Sequence, residues 1–253
     1  MKALLYGGVI ILSFVSCKKV TARKEILISG CRIKQLIIKE DGQKDRSGTF
    51  TYNTNSDPVS YTPKGYSNGS LKYEFRYDAG GHLTDYIGYD PTAIPASCYF
   101  WTKYSYDGHN RIVRDSVYYN CKYGPALTSF ADYVGITVYE YDNSDRITTV
   151  IYRQFHNSVP NGVTGYYKYD YNESGNLVTP GAVYDDKTSI YRTSKIWMFL
   201  GRNYSVNNLM PALSYNPNGL PVAFAGNTTR GAEMRMLEFI SLSDCEILYE
   251  CDK

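Results

Sequence analysis

Tyr73-Glu74-Phe75-Arg76-Tyr77-Asp78-Ala79-Gly80-Gly81-His82-Leu83-Thr84 spells a strand, a turn and the start of a second strand. Tyr73, Phe75 and Tyr77 alternate with Glu74, Arg76 and Asp78, and a period of two means one buried face and one wet face. Asp78 is placed to accept backbone N–H groups of the turn, as Asp and Asn do in Asx turns. Gly81, four residues past Tyr77, tolerates the left-handed backbone of a type I turn followed by a bulge. Leu83 then restarts an apolar alternation.

Five further segments carry the same signature: Phe50-Thr51-Tyr52-Asn53, Tyr104-Ser105-Tyr106-Asp107, Tyr139-Glu140-Tyr141-Asp142, Tyr169-Asp170-Tyr171-Asn172 and Leu213-Ser214-Tyr215-Asn216. Four residues past each second tyrosine (Tyr215 in the last) stand Ser56, Gly81, Asn110, Asp145, Gly175 and Gly219, and all but Ser56 are residue types that accept positive φ. Ile112, Ile147 and Leu177 occupy the position of Leu83, and Tyr167, Tyr169 and Tyr171 alternate with Lys168 and Asp170. The expected fold is all-β: a meandering antiparallel sheet of serial hairpins, one domain over 31–253, with little or no helix. Tyrosine, present 27 times, suits such half-buried pleated surfaces. The stretch 188–210, with Ile196-Trp197-Met198-Phe199-Leu200, fits neither period and leaves room for a short helix or an apolar plug near Asn207 to Leu209.

Tyr77-Asp78-Ala79-Gly80-Gly81-His82-Leu83-Thr84, Tyr106-Asp107-Gly108-His109-Asn110-Arg111-Ile112 and Tyr141-Asp142-Asn143-Ser144-Asp145-Arg146-Ile147-Thr148 resemble the YD repeats of RHS-type proteins, at the hairpin and not over whole repeats. The chain is closer still to small bacterial surface lipoproteins of unknown function with degenerate YD-like hairpins. That resemblance covers roughly residues 31 to 253 and implies a meandering sheet without a known activity. Intervals of 25, 29, 35, 30 and 44 residues between the turn tyrosines argue against an enclosing shell.

The N-terminus supports the same family. Ala3 to Val15 is apolar and follows Met1-Lys2; a helix of that length spans about 20 Å against a hydrocarbon core of roughly 30 Å, so it fits a secretory signal and not a membrane span. Phe14-Val15-Ser16-Cys17 resembles a lipobox, with Phe14 in place of the usual Leu. The expectation is a cleaved signal over 1–16, lipidation at Cys17, a tether over 17–30, and anchorage in the outer membrane or at the surface of a Gram-negative cell. Lys18 stands where an inner-membrane retention Asp would.

An oxidising location makes the other five cysteines candidates for disulfides. Turning the Tyr106 hairpin near His109 sets Cys98 opposite Asn120, so a one-residue bulge would align Cys98 with Cys121. Cys31 has two candidate partners, Cys251 and Cys245.

Lys and Arg total 27 against 25 Asp and Glu, and the basic residues are interspersed with acidic ones, which argues against a nucleic-acid partner. Gly65-Tyr66-Ser67-Asn68-Gly69 matches a nucleophile elbow in letters but precedes a strand, not a helix. His82, His109 and His156 sit in turn-like or loop-like positions, no ligand-spaced His pair or C-x-x-C exists, and Asp142-Asn143-Ser144-Asp145 lacks the Gly and Glu of a calcium loop. No metal or cofactor is expected. The leading expectation is a non-enzymatic scaffold or binding module for a glycan or a protein. Tyr99, Phe100, Trp101, Tyr118 and Tyr119 are the candidate patch, unless those rings fill a core. The rival is a hydrolase of envelope polymers, with Asp185, Asp186 and Glu238 as its carboxylates.

Overall fold

The computed structural model describes residues 30–38, 46–65, 71–93, 97–129, 133–209, 212–224, 235–237, 240–241 and 245–251. The export segment, Cys17, Ser67 and Glu238 lie outside them. The strands are β1 Cys31–Ile38, β2 Arg46–Tyr52, β3 Pro58–Lys64, β4 Lys72–Tyr77, β5 Leu83–Tyr89, β6 Ser97–Tyr106, β7 Ile112–Lys122, β8 Thr128–Ser129, β9 Tyr133–Tyr141, β10 Ile147–His156, β11 Val159–Lys168, β12 Ala212–Tyr215, β13 Pro221–Phe224, β14 Arg235–Leu237, β15 Ile240–Ser241 and β16 Cys245–Cys251. Among the described residues, fourteen of them form one antiparallel sheet in the order β11-β10-β9-β7-β6-β5-β4-β3-β2-β1-β16-β13-β12, with β8 hung on β7. The meander is thus real over most of its length. Its one long-range join is β1 on β16, where Cys31 faces Cys251.

All six turns obey one rule. The Asn or Asp after the turn tyrosine accepts, through Oδ1, the N–H of the residue four further on at 2.9–3.0 Å, and its own N–H donates to that residue's carbonyl. The residue in between, Ser56, Gly81, Asn110, Asp145, Gly175 or Gly219, has φ between 58° and 80°. Five turns join paired strands. The Asn172 turn is different: it is closed by a single bridge, Tyr171 to Leu177, and no return strand follows.

Four of the six turn tyrosines, together with Tyr249 and Tyr184, which precede no such turn, also lock neighbouring segments together. Tyr77 Oη donates to Pro58 O at 2.7 Å, Tyr106 Oη to Leu83 O at 3.0 Å, Tyr141 Oη to Ile112 O at 2.6 Å and Tyr249 Oη to Pro221 O at 2.6 Å. Each acceptor is the sixth residue past the preceding turn tyrosine. Tyr52 makes the equivalent bond to Ile33 O, and Tyr184 to Leu177 O. The side chain just before several of these carbonyls covers the incoming ring: Arg32 lies 5.2 Å over Tyr52, His82 4.9 Å from Tyr106 and Arg111 5.0 Å over Tyr141, while Arg146 lies 4.2 Å over Tyr171.

The unphased stretch becomes the core. Ile190–Thr193 forms a 3-10 turn, Ser194 Oγ accepts the N–H of Ile196, and Lys195–Leu200 makes the short helix α1, which ends where Arg202 turns to φ 48°. The helix therefore falls on the aromatic run itself and not near Asn207 to Leu209, because Ser194 supplies the cap the run needs. Trp197 is fully buried, 5.1 Å from Phe50 of β2 and 5.7 Å from Phe75 of β4. Phe199 lies 5.6 Å from Tyr104 of β6 and 5.0 Å from Tyr139 of β9. In a flat sheet β2 and β9, six strands apart, would be about 29 Å distant, yet both reach a helix roughly 9 Å long. The sheet accordingly curls around α1, leaving β11 and β12 as its two edges among the described residues.

Candidate functional site

Alternation decides which aromatic side chains are available to a ligand. On β6, Phe100 is buried and packs on Tyr73 and Tyr86 in the core, and Tyr119 of β7 also turns to the core side. Trp101 and Tyr118, Cα partners in the register, point to the outer face with rings 5.0 Å apart, and Tyr99 is half exposed. The five aromatics grouped from sequence are therefore not one surface. Adjacent residues of a strand point to opposite sides, so Phe100 and Tyr119 turn to the core and Trp101 and Tyr118 remain outside.

Register extends that outer pair into a row. Trp101 faces Tyr118, Tyr118 faces Val134 of β9, Val134 faces Phe155 of β10, and Phe155 faces Pro160 of β11. Two residues along the strands a second row reads Lys103, Ser116, Ile136, Arg153 and Thr164. A third contains Ser105, Arg114, Val138, Ile151 and Tyr166. Val138 and Tyr166 are exposed. The same face over β2–β4 has another character: Thr51 and Ser60 share a hydroxyl hydrogen bond of 2.8 Å, and Arg76 pairs with Glu74 at 2.7 Å. The outer face is thus polar and self-satisfied at one end, apolar and cationic at the other.

A small second core separates the halves. Ile87, Tyr89 and the Cys98–Cys121 disulfide are buried beneath residues 123–127, with Tyr89 and Tyr123 stacked at 3.8 Å. Tyr123 Oη bonds Glu74, and Arg76 Nη2 donates to Gly124 O at 3.2 Å. Trp101 borders this cluster, and its indole N–H donates to Asp85 Oδ1 at 2.6 Å, which fixes the ring. The two cysteines are direct partners, and the register shift that aligns them lies between Ser105 and Tyr106, next to the turn. Cys31 bonds Cys251; Cys245 is buried opposite Ile38 and belongs to neither disulfide.

The described candidate catalytic groups sit in hairpin turns, at a strand end and in loop contacts. His82 Nδ1 lies 3.1 Å from Asp78 Oδ2, His109 Nδ1 3.9 Å from Asp107 Oδ2, and His156 ends β10. Asp185 ties loops together: it accepts the Asn208 N–H at 3.0 Å, Asn208 Nδ2 at 2.9 Å and the Tyr215 hydroxyl at 2.6 Å. Exposed Asp186 pairs with Lys187 at 3.2 Å. Among the described residues no three His, Cys, Asp or Glu side chains converge as a metal site. A cleft of about 450 Å³ lies between Arg32, Asp57, Lys195 and Glu250, but Arg32 is already committed to Glu250 at 3.0 Å.

Two carboxylates show how environment sorts the acids. Desolvation raises Asp107, but it is outweighed by the N–H and guanidinium of Arg111 and the N–H of His109, which hold the carboxyl at about 2. Asp115 of β7, paired with Thr137 of β9, is buried, and desolvation pushes it above the usual carboxylate range against hydrogen bonds from Tyr139 and Thr137 and the charge of Arg202. Burial likewise drives the Tyr139 and Tyr104 hydroxyls far above their usual range.

No protein-family model matches the chain, and no curated protein is significantly similar to it.

Proposed function

We propose that the chain is a non-enzymatic binding or scaffold module of the bacterial cell envelope: exported under residues 1–16, acylated at Cys17 and held at the outer membrane by the tether that ends at residue 30. On this reading the Tyr-Asp and Tyr-Asn turns are degenerate relatives of YD repeats. The observation that carries it is the division of labour in the sheet. The core face packs on α1, while the outer face of β6–β11 carries aromatic side chains together with Lys103, Arg114 and Arg153, which form no ion pair among the described residues. Two disulfides, one joining β1 to β16, suit a location outside the cytoplasm. Two acyl chains hold a protein at a bilayer stably where one does not.

Growth in labelled palmitate tests the anchor: label enters the parent chain and is absent from Cys17→Ser, whose product leaves the membrane fraction. Label in the variant refutes the assignment. Affinity capture from envelope extracts with the full chain is expected to enrich a glycan or protein partner, and Trp101→Ala or Tyr118→Ala to reduce it.

A further inference from the structure

The outer rows say more about the partner, given the reading of the chain as a binding module. Trp101, Tyr118 and Phe155 lie in one row across the strands, and Lys103 and Arg153 in the next, two residues or about 7 Å along the strand direction. Arg114 follows in the third row. Among the described residues, Lys103, Arg114 and Arg153 form no ion pair, whereas Arg32, Arg76, Arg111 and Arg146 each hold a carboxylate. Lys103 is the telling case. Its Cα partner is Asp85, yet its ammonium lies 5.2 Å over the Trp101 ring, and Asp85 is taken by the indole N–H.

We infer that this face binds an acidic polysaccharide laid across β6 to β10, with pyranose faces on Tyr118 and Phe155, Trp101 backing Tyr118 and Lys103, and acid groups on Lys103, Arg153 and Arg114. Rings fixed in advance lose little entropy on binding, and charge-assisted hydrogen bonds to carboxylates are the strong ones. Competing occupants fit less well. In a membrane the cations, which share their rows with Ile136 and Val138 and do not stand around a rim, would be dragged into hydrocarbon. Three scattered cations are too few to hold a nucleic acid at physiological salt. A peptide adding to the edge strand β11 would meet Pro160, which has no N–H to give. A second copy would bring like charges together. Glu140, on the same face, lies two positions from Val138 on the turn side and outside the proposed track.

Native affinity electrophoresis of the full chain tests this, with polygalacturonate, a neutral β-glucan or poly-L-glutamate cast in the gel, and pelleting with anionic phospholipid vesicles alongside. The expected result is retardation by polygalacturonate that weakens with added salt. It falls about tenfold in Lys103→Gln or Arg153→Gln, the loss of roughly one charge-assisted hydrogen bond. Tyr118→Ala should lower it too, with an unchanged circular dichroism spectrum showing the fold intact. Indifference to these substitutions, equal retardation by poly-L-glutamate, or no retardation at all overturns the inference. Retardation by the neutral glucan alone, or pelleting with vesicles in place of polygalacturonate binding, also overturns it but leaves a binding module standing. New reducing ends released from polygalacturonate would instead refute the non-enzymatic reading on which the inference rests.

Discussion

Replacing Tyr141 by phenylalanine removes a single oxygen, and the structure says what that oxygen does. The hydroxyl donates to Ile112 O at 2.6 Å, joining the third hairpin to the fourth, while Arg111 lies 5.0 Å over the ring. The lost bond is worth about 1 kcal/mol net, and a half-buried carbonyl left without a partner adds up to ~1 kcal/mol more. Phenylalanine keeps the packing and the cation–π contact, so Tyr141→Phe should cost about 1–2 kcal/mol. Tyr141→Leu also loses the cation–π contact, a further ~0.5–1 kcal/mol. Tyr77→Phe and Tyr106→Phe remove equivalent rungs, each two strands or about 10 Å from the next, so a triple variant should sum the single costs to within about 0.5 kcal/mol. Urea denaturation with the disulfides intact measures this, and an unchanged m-value shows that the native state is the same. Tyr167→Phe, whose side chain is half exposed, is the control. Were Tyr141→Phe no less stable than Tyr167→Phe, the interlocking of hairpins through these hydroxyls would be an incidental contact, and the reasoning would be refuted.

Trp197→Ala should cost about 3–5 kcal/mol and flatten the near-UV circular dichroism, since the indole packs on Phe50 and Phe75 at the centre of the curl. Asp107 is held at about 2, below its unfolded value near 3.9, so its contribution is complete above pH ~4 and lost as pH falls toward 2. Asp107→Asn should therefore unfold with a shallower acid limb in a pH titration of the melting temperature. The two disulfides close loops of different length. In the chain-entropy model Cys98→Ser, with a separation of 23, should cost about 3 kcal/mol, and Cys31→Ser, with a separation of 220, about 5 kcal/mol, both read from denaturant midpoints.

The turns were legible in the sequence because everything they need is local: an Asx side chain, a residue able to take positive φ and a fixed count between them. Ser56 follows the same count and takes φ 62° although serine gains least from it. The Cys98–Cys121 pairing was legible for a similar reason, since one hairpin sets both positions. What needs register between distant strands was not. Trp101, Tyr118 and Phe155 are separated by 17 and 37 residues, and only the order β6-β7-β9-β10 aligns them. Tyr167 alternates correctly with Tyr169 and Tyr171 but is half exposed, because it lies on the edge strand over Gly165 and beyond the reach of α1. The choice between Cys251 and Cys245 depended on which strand comes to lie beside β1. The helix hid because six residues, with Lys195 alone exposed, are too few to reveal a helical period.

The seam between β1 and β16 gives the molecule a direction in time. Hairpins from β2 to β11 can form as soon as their residues are available, each needing only its neighbour. By contrast, the β12–β13 arm reaches the sheet only through β16, and β1 keeps an open flank until that late segment arrives from more than two hundred residues away. Loop-closure entropy makes such a join slow. Until it is made, the nascent molecule carries an exposed strand edge with cysteines at both Cys31 and Cys251 still to be oxidised, and this is the stage at which a helper protein or a mispaired thiol has its opportunity.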